Sequence, residues 1–430
     1  MTKCRMWAKG LRKVPSMFST RLSTVRYSVA ALCLFSSLVA SAADWSQFLG
    51  PTRNNIAGDD EKPLPRRFPP AGPPLLWQKV LGSGFAGPAV VGEKVIIFYR
   101  EKNEAVVEAL NKNDGSTLWR FAYATDYKDR FGFDNGPRAT PTVADGKVFV
   151  HGAEGMVHAL DLATGKMLWK VDTVKDFGSP QGFFGRACAP LVVGDLMYLT
   201  PGGDKGKVVV AFNVKDGSVK WSTGEDGASY SSPVMASDNV LVCWLRNHLT
   251  TFNPKDGTIL GEELFRPSEE ASVSAAVPIK TDKGWFITAC YGVGSSLWDI
   301  GADGKLTKTW NEQDRIDAHY ATPVYYKGHV YGYDGRQETG QALCCLDLET
   351  KSVIWESGRQ KGGTVMLVKD KLLTVTEDGE LWIVNANPNE FEQTAIAQIL
   401  RAGHRSYPAY SNGVLYARDG VKLVAIQLAK

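Results

Sequence analysis

The chain has 430 residues, with 49 Lys and Arg against 46 Asp and Glu and a formal net charge of +3. Seven of the basic residues and no acid lie in the first 42 positions, so the remainder carries 42 basic against 46 acidic groups, a net charge of −4. That balance excludes a chain-wide basic field for nucleic acid, and the 388 residues after that segment, rich in aromatic and β-branched types, suffice for one large all-β core.

In chain order, Lys3, Arg5, Lys9, Arg12, Lys13, Arg21 and Arg26 precede an apolar run from Val29 to Ala40 that ends in Ala40-Ser41-Ala42. A basic start, a short apolar stretch and a small-x-small site predict a secretory signal peptide over residues 1–42, and the run is too short to span a bilayer. Met17 is a second candidate start. Cys33 follows Ala31-Leu32, without the small residue that precedes a lipidated cysteine, so the expectation is export to the periplasm or beyond, not a lipoprotein. Residues 43–74 read as a leader: Asp44 to Gly58 (DWSQFLGPTRNNIAG), then KPLPRRFPPAGPP, whose prolines cannot join a sheet interior. The leader is expected to lie against the surface of a domain that fills residues 75–430.

From there one phrase recurs every 40 to 53 residues: a small residue and Pro, an apolar run, a Gly-centred turn, then Ala-Leu-Asp-x-x-(Thr/Asp)-Gly and Trp. The clearest copy runs from Ala139 to Trp169. The Pro returns at Pro88, Pro141, Pro190, Pro233, Pro278, Pro323 and Pro408, and the second turn at Asp114-Gly115, Thr164-Gly165, Asp216-Gly217, Asp256-Gly257 and Asp303-Gly304. The tryptophan follows at Trp119, Trp169, Trp221 and Trp310, and at Trp355 in a copy where Lys351 replaces the Gly. Several strands and turns per repeat, with no amphipathic helical run, predict an all-β fold. Residues 363–391 are a degenerate copy that fills the double gap between Pro323 and Pro408. The last copy has three strands, and Leu75–Val80 (LLWQKV), which matches Thr117-Leu118-Trp119-Arg120-Phe121-Ala122, supplies the fourth. The prediction is an eight-bladed β-propeller of four-stranded antiparallel blades, closed by its N- and C-terminal strands in one blade. Trp77, Trp119, Trp169, Trp221, Trp310 and Trp355 then serve as cement between blades. Loss of Leu75–Val80 is expected to damage the fold more than loss of Asp44–Gly58.

The phrase resembles the pyrroloquinoline-quinone (PQQ) repeat, and the chain is similar to the exported, BamB-like propellers built from it. The leader's WSQFLGP resembles the W-x-Q-F-x-G-P opening of many such proteins. The resemblance implies the propeller fold and an envelope setting; it does not by itself imply a reaction. Its catalytic members hold the quinone against a vicinal disulfide with a bound Ca²⁺, which draws attention to Cys344-Cys345. Aligned on the repeat, those cysteines fall on strand positions, with Cys345 at the place of the packed Ala159, and neighbouring strand side chains point to opposite faces. Packing is therefore expected, not a disulfide. The odd number of cysteines after residue 42 is likewise a poor disulfide framework. NKNDGS at 111–116 offers oxygens but lacks the spaced acids of a calcium loop, and no metal site is predicted. No cofactor is predicted; PQQ and Ca²⁺ belong only to the alternative of a PQQ-dependent alcohol dehydrogenase.

The connection before each innermost strand borders the channel mouth of a propeller. Here it carries Asp134, Asn135 and Arg138, then Arg186, Tyr230, His319 and Tyr320, and finally His404, Arg405 and Tyr407. Function tends to sit on loops held by a rigid scaffold, so these residues are expected to form a cationic, aromatic ligand site. The leading expectation is a monomeric envelope scaffold that binds a protein, a glycan or a small anionic ligand, with no nucleic-acid partner, no transmembrane segment and no redox chemistry of its own. Mass spectrometry of the exported protein should find Ala43 as the N-terminus; peptides containing Cys4 or Cys33 would contradict cleavage after Ala42.

Overall fold

The computed structural model describes residues 44–270, 272–403 and 405–429, so the expected signal peptide and His404 lie outside the described residues. Within them the strands form eight four-stranded antiparallel sheets arranged as a ring. Seven blades run outward in chain order, from residues 89–124 in the first to residues 363–398 in the seventh. The eighth combines Ala409–Ser411, Val414–Arg418 and Lys422–Gln427 with Leu75–Val80, whose Trp77 lies opposite Ala425. Neighbouring innermost strands pack side by side, with Ala89–Val91 between Ala409–Ser411 and Thr142–Ala144. One short helix, Thr173–Phe177, interrupts the β pattern among the described residues, capped by Asp172 and ended by Gly178 at φ +72°. No helix among these residues is long and apolar enough to cross a membrane.

The repeat's two signature residues meet across blade boundaries. Most of these tryptophans lie opposite a small residue of their own blade, as Trp119 does Ala109 and Trp169 does Ala159, with a bulge just beyond, whereas Trp310 faces Leu297. The ring then lies under the turn glycine of the next blade. A Cβ on Gly165 would stand 2.5 Å from the Trp119 ring, and one on Gly217 2.7 Å from Trp169. The indole N–H donates to the same turn: Trp119 to Leu162 O at 2.9 Å, Trp169 to Val214 O at 3.1 Å and Trp221 to Pro254 O at 2.9 Å. Gly115 covers Trp77 in the same way, which joins the closing strand of the eighth blade to the first. Where the signature varies, the contact is replaced. Lys351 adopts φ +58° and sets its ammonium 5.9 Å from the Trp310 ring, and Leu260 takes the missing tryptophan's place beneath Gly304.

Cys345 lies opposite Trp355, as its alignment with Ala159 predicts, and packs with Tyr331 while Cys344 faces a separate cluster with Ile316. Both are free thiols, and burial pushes Cys345 up to about 12.

The leader departs from expectation. It inserts into the ring instead of lying on its outside, because Trp45 and Leu49 are 2% and 0% exposed and need a core. Trp45 pairs its backbone both ways with Val90 at 2.8 Å, and Ser46 O accepts from Val143 N at 2.8 Å. Leu49 joins an apolar cluster with Val234, Val277 and Trp285. Arg53 donates to Pro190 O at 2.9 Å and Ala189 O at 3.2 Å, and Asn55 donates to Thr322 O at 3.4 Å. Asn55 and Ala57 bracket Leu367 with backbone bonds of 2.8 and 2.9 Å, and the Glu61 carboxylate accepts from Asn412 N and Gly413 N. These contacts reach strands or entry loops of all eight blades, so this segment acts as a second closure of the ring.

The glycine–tryptophan contact separates two substitutions in one blade. Gly146→Ala, at φ +67° with open space around it, should cost only backbone strain of about 1–2 kcal/mol. Gly165→Ala, at φ +71° against Trp119, should cost roughly 1–3 kcal/mol more by overpacking. Urea unfolding midpoints measure both; equal costs would remove the contact from the account of blade packing.

Candidate functional site

The entry loops converge on a cavity of about 180 Å³ at one end of the channel. Its walls are low where they are built of Thr140, Ala187, Ala189, Val273 and Ala275, and aromatic at the mouth, where Phe85, Phe133, Phe184 and Tyr230 stand. His319, Tyr320 and Gln337 close one side, Arg138, Arg405 and Tyr407 complete the lining, and Phe48 of the leader lies across the base. Of the residues singled out in the sequence, Arg138, Tyr230, His319, Tyr320, Arg405 and Tyr407 are thus brought together. Asp134, Asn135 and Arg186 stand behind them, and His404 is outside the described residues.

The loop at 126–138 shows why. Asp129 accepts from Phe131 N at 2.8 Å and from Arg138 Nη2 at 2.5 Å, and Asn135 Oδ1 accepts from Asp129 N at 2.8 Å. Asp134 accepts from Gly84 N at 3.0 Å and Gly136 N at 2.5 Å. The bonds from Phe131 N and Gly136 N are Asx-type turns, and with the others they shape the loop and leave Asp134 and Asn135 no part in the cavity wall. They also turn Phe131 and Phe133 outward, 57% and 55% exposed. Arg138 stacks over Phe85 and Tyr127 at 5.6 and 5.5 Å.

Arg186 is a strut. Its guanidinium bonds Ser179 Oγ at 3.0 Å, Glu154 O at 2.9 Å and Ser179 O, and burial lowers its pKa. Tyr230 props the same loop by accepting N–H bonds from Phe183 at 2.8 Å and Phe184 at 3.0 Å. Phe184 then sits 5.3 Å from Phe131, 5.9 Å from Phe133 and 5.9 Å from Tyr230, a continuous aromatic rim across three entry loops.

The opposite side is polar but internally matched. His319 Nδ1 donates to Gln337 Oε1, its Nε2 accepts from Tyr291 Oη at 2.7 Å, and burial lowers its pKa, so the ring is neutral. Tyr320 donates to Glu377 at 2.8 Å, and Arg405 Nε lies 3.6 Å from the same oxygen with its guanidinium 5.2 Å from the Phe133 ring. Burial raises the Glu377 pKa, and Arg405 beside it works the other way. Tyr407 donates to Tyr320 O at 3.0 Å and accepts from Thr322 N; burial pushes its phenol up to about 12. The expected cationic mouth therefore resolves into two compensated pairs, Arg138–Asp129 and Arg405–Glu377, around an aromatic centre. What the polar reading of these loops passed over is the phenylalanines in FGFDNG and FFGR, apolar residues in Gly-flanked loops with no strand to bury them.

The quinone arrangement implied by the resemblance does not fit these residues. Cys344 and Cys345 lie within strand Ala342–Asp347 on opposite faces, away from the cavity lining. Among the described residues no group of three or more His, Cys, Asp or Glu is placed to hold a metal ion.

Comparison with known proteins follows the fold. A family model described as outer membrane protein assembly factor BamB matches residues 102–357. The outer membrane protein assembly factor BamB of Moranella endobia (strain PCIT) is 26% identical over 307 residues, covering 66% of this chain and 74% of that protein. The crystal structure of BamB from Moraxella catarrhalis superposes with a TM-score of 0.62 at 16% identity, over 82% of this chain and 97% of that one. The quinohemoprotein alcohol dehydrogenase of Comamonas testosteroni gives a TM-score of 0.64 at 14% identity, over 91% and 82%. At such identities the two structures speak for the fold alone.

Replacing Arg186 by Ala should lower stability by roughly 2–4 kcal/mol, because buried carbonyls lose a charged donor. Arg186→Lys should not restore it, since one ammonium cannot span the fork. Unchanged urea midpoints in both variants would return Arg186 to the cavity wall.

Proposed function

The chain belongs to the family of outer membrane protein assembly factor BamB, and on that premise we propose that it is an exported scaffold that holds a partner polypeptide over its channel mouth. Envelope residence is part of the proposal, supported by the expected signal peptide and by the family's place in outer-membrane assembly. The observation that carries the reading is the aromatic rim. Phe131 and Phe133 are each more than half exposed and continuous with Phe184 and the cavity. A water-facing aromatic patch on a rigid loop marks an interaction surface, and covering each ring contributes about 1.5–3 kcal/mol at most. The compensated charges suit binding: each arginine holds a rim aromatic by stacking on it, Arg138 on Phe85 and Arg405 on Phe133.

A dehydrogenase remains the alternative by fold, but the cysteine pair gives it no support here.

The double variant Phe131→Ser with Phe133→Ser should keep the wild-type urea midpoint. It should bind an unfolded outer-membrane β-barrel polypeptide at least about tenfold more weakly by surface plasmon resonance. Unaltered affinity would move the interface off the mouth. Dye-linked alcohol oxidation on adding PQQ and Ca²⁺ would overturn the scaffold reading in favour of the enzyme.

A further inference from the structure

We infer that the leader is a stopper that makes the channel a blind cup, and that Phe48 sets the depth of that cup so that it accepts one aromatic side chain of the bound polypeptide. The inference rests on the mouth being the binding face.

Three observations carry it. The first is how the stopper is built. Residues 47–55 fold back on themselves, with Asn55 N donating to Leu49 O at 2.9 Å and Gly50 N to Gln47 O at 3.1 Å. Leu49, Arg53 and Asn55 adopt φ of +63°, +54° and +59°, a conformation that non-glycine residues rarely take. Such strain persists only where the surroundings over-determine it. Here they do: Leu49 is fully buried, Arg53 is clamped to two carbonyls, and a Cβ on Gly50 would meet the Trp45 ring at 2.9 Å. The knob is anchored on the far rim by the Asp44–Gly92 and Glu61–Gly413 bonds and reaches into the channel from there.

The second is what the stopper presents. Phe48 meets Tyr407 edge-to-face at 4.9 Å and 79°, and Tyr407 is itself pinned to Tyr320 and Thr322. The floor is therefore an aromatic surface held by two separate parts of the chain.

The third is size and charge. The cup holds about 180 Å³, close to the roughly 150 Å³ of a dry apolar cavity that binds benzene. Its hollow comes from small wall residues, chiefly Ala187, Ala189 and Ala275. With Arg138 paired to Asp129, Arg405 to Glu377 and His319 neutral, the cup carries no net charge, which matches a neutral ring and not an anion. One phenylalanine-sized side chain fits, with its backbone left at the level of Phe133 and Phe184.

The test is calorimetric titration of the full chain with N-acetyl-phenylalaninamide and its larger 2-naphthylalanine analogue. Wild type should prefer the phenyl compound. Phe48→Ala, which removes the floor, should shift the preference toward the naphthyl compound by about tenfold. Ala275→Leu fills the cup from the opposite wall without touching the leader, and should abolish binding of both; it keeps the test decisive if Phe48→Ala fails to fold. Folded variants with the wild-type preference, or no saturable binding by wild type, would overturn the inference. Neither result touches the rim: polypeptide binding lost in the Phe131/Phe133 variant but kept in Ala275→Leu leaves the docking surface standing with the cup excluded from it.

Discussion

The contact between one blade's tryptophan and the next blade's turn glycine governs this molecule. A propeller blade is a twisted sheet whose two faces must both be covered, and its neighbours supply the cover. The indole fills the wedge between diverging outer strands, and its N–H finds a backbone carbonyl of the adjacent turn. At Gly115, Gly165, Gly217 and Gly257 the glycine serves twice over, giving a left-handed turn and leaving room where a Cβ would collide with the ring; Lys351 is the exception, over Trp310. A repeat written as Gly-x-x-x-Trp within one blade is thus a bond between two, and the ring of eight follows from repeating it.

That constraint leaves the entry loops free, and they differ from blade to blade. Where the outer strands repeat, the loops at 126–138 and 179–187 are built each in its own way, one around Asp129 and one around Arg186. Both carry phenylalanine to the mouth, exposed in the first loop and half-buried in the second. The scaffold's regularity makes the loops' irregularity useful, since a rigid rim can display apolar groups without collapsing onto them.

Blade number, strand order and terminal closure were legible because the repeat is a local pattern with a fixed period. So was the meeting of the entry loops, since a recurring position before each innermost strand maps to one rim. The residue choice was less legible. Charged residues in the loops stood out by type, yet Arg186, Asp134 and Asn135 spend their hydrogen bonds inside the protein, on their own loops and on neighbouring segments at Glu154 and Gly84, and nothing in composition distinguishes such a strut from a ligand contact. The leader was misread for a related reason. Its prolines and glycines describe a segment outside the sheets, but the inside of a ring is also outside the sheets, and only the burial of Trp45 and Leu49 tells the two apart.

The double fastening of the ring has a bearing on how the chain comes to be folded at all. Leu75–Val80 pairs with Lys422–Gln427, and Glu61 caps the turn at Asn412-Gly413, so both fasteners join the earliest part of the chain to the latest. During synthesis, Trp45 and Leu49 are among the first core residues to emerge, and they are covered only when late blades are in place. Blades can form one after another by local hairpins, while the loop-closing step waits for the strands from Ala409 to Gln427 and carries the entropy of a very long loop. The same arrangement works in reverse once the ring is shut. Opening it must release the outer clasp and the central thread together, which lends the finished protein persistence against unfolding and proteolysis beyond its equilibrium stability.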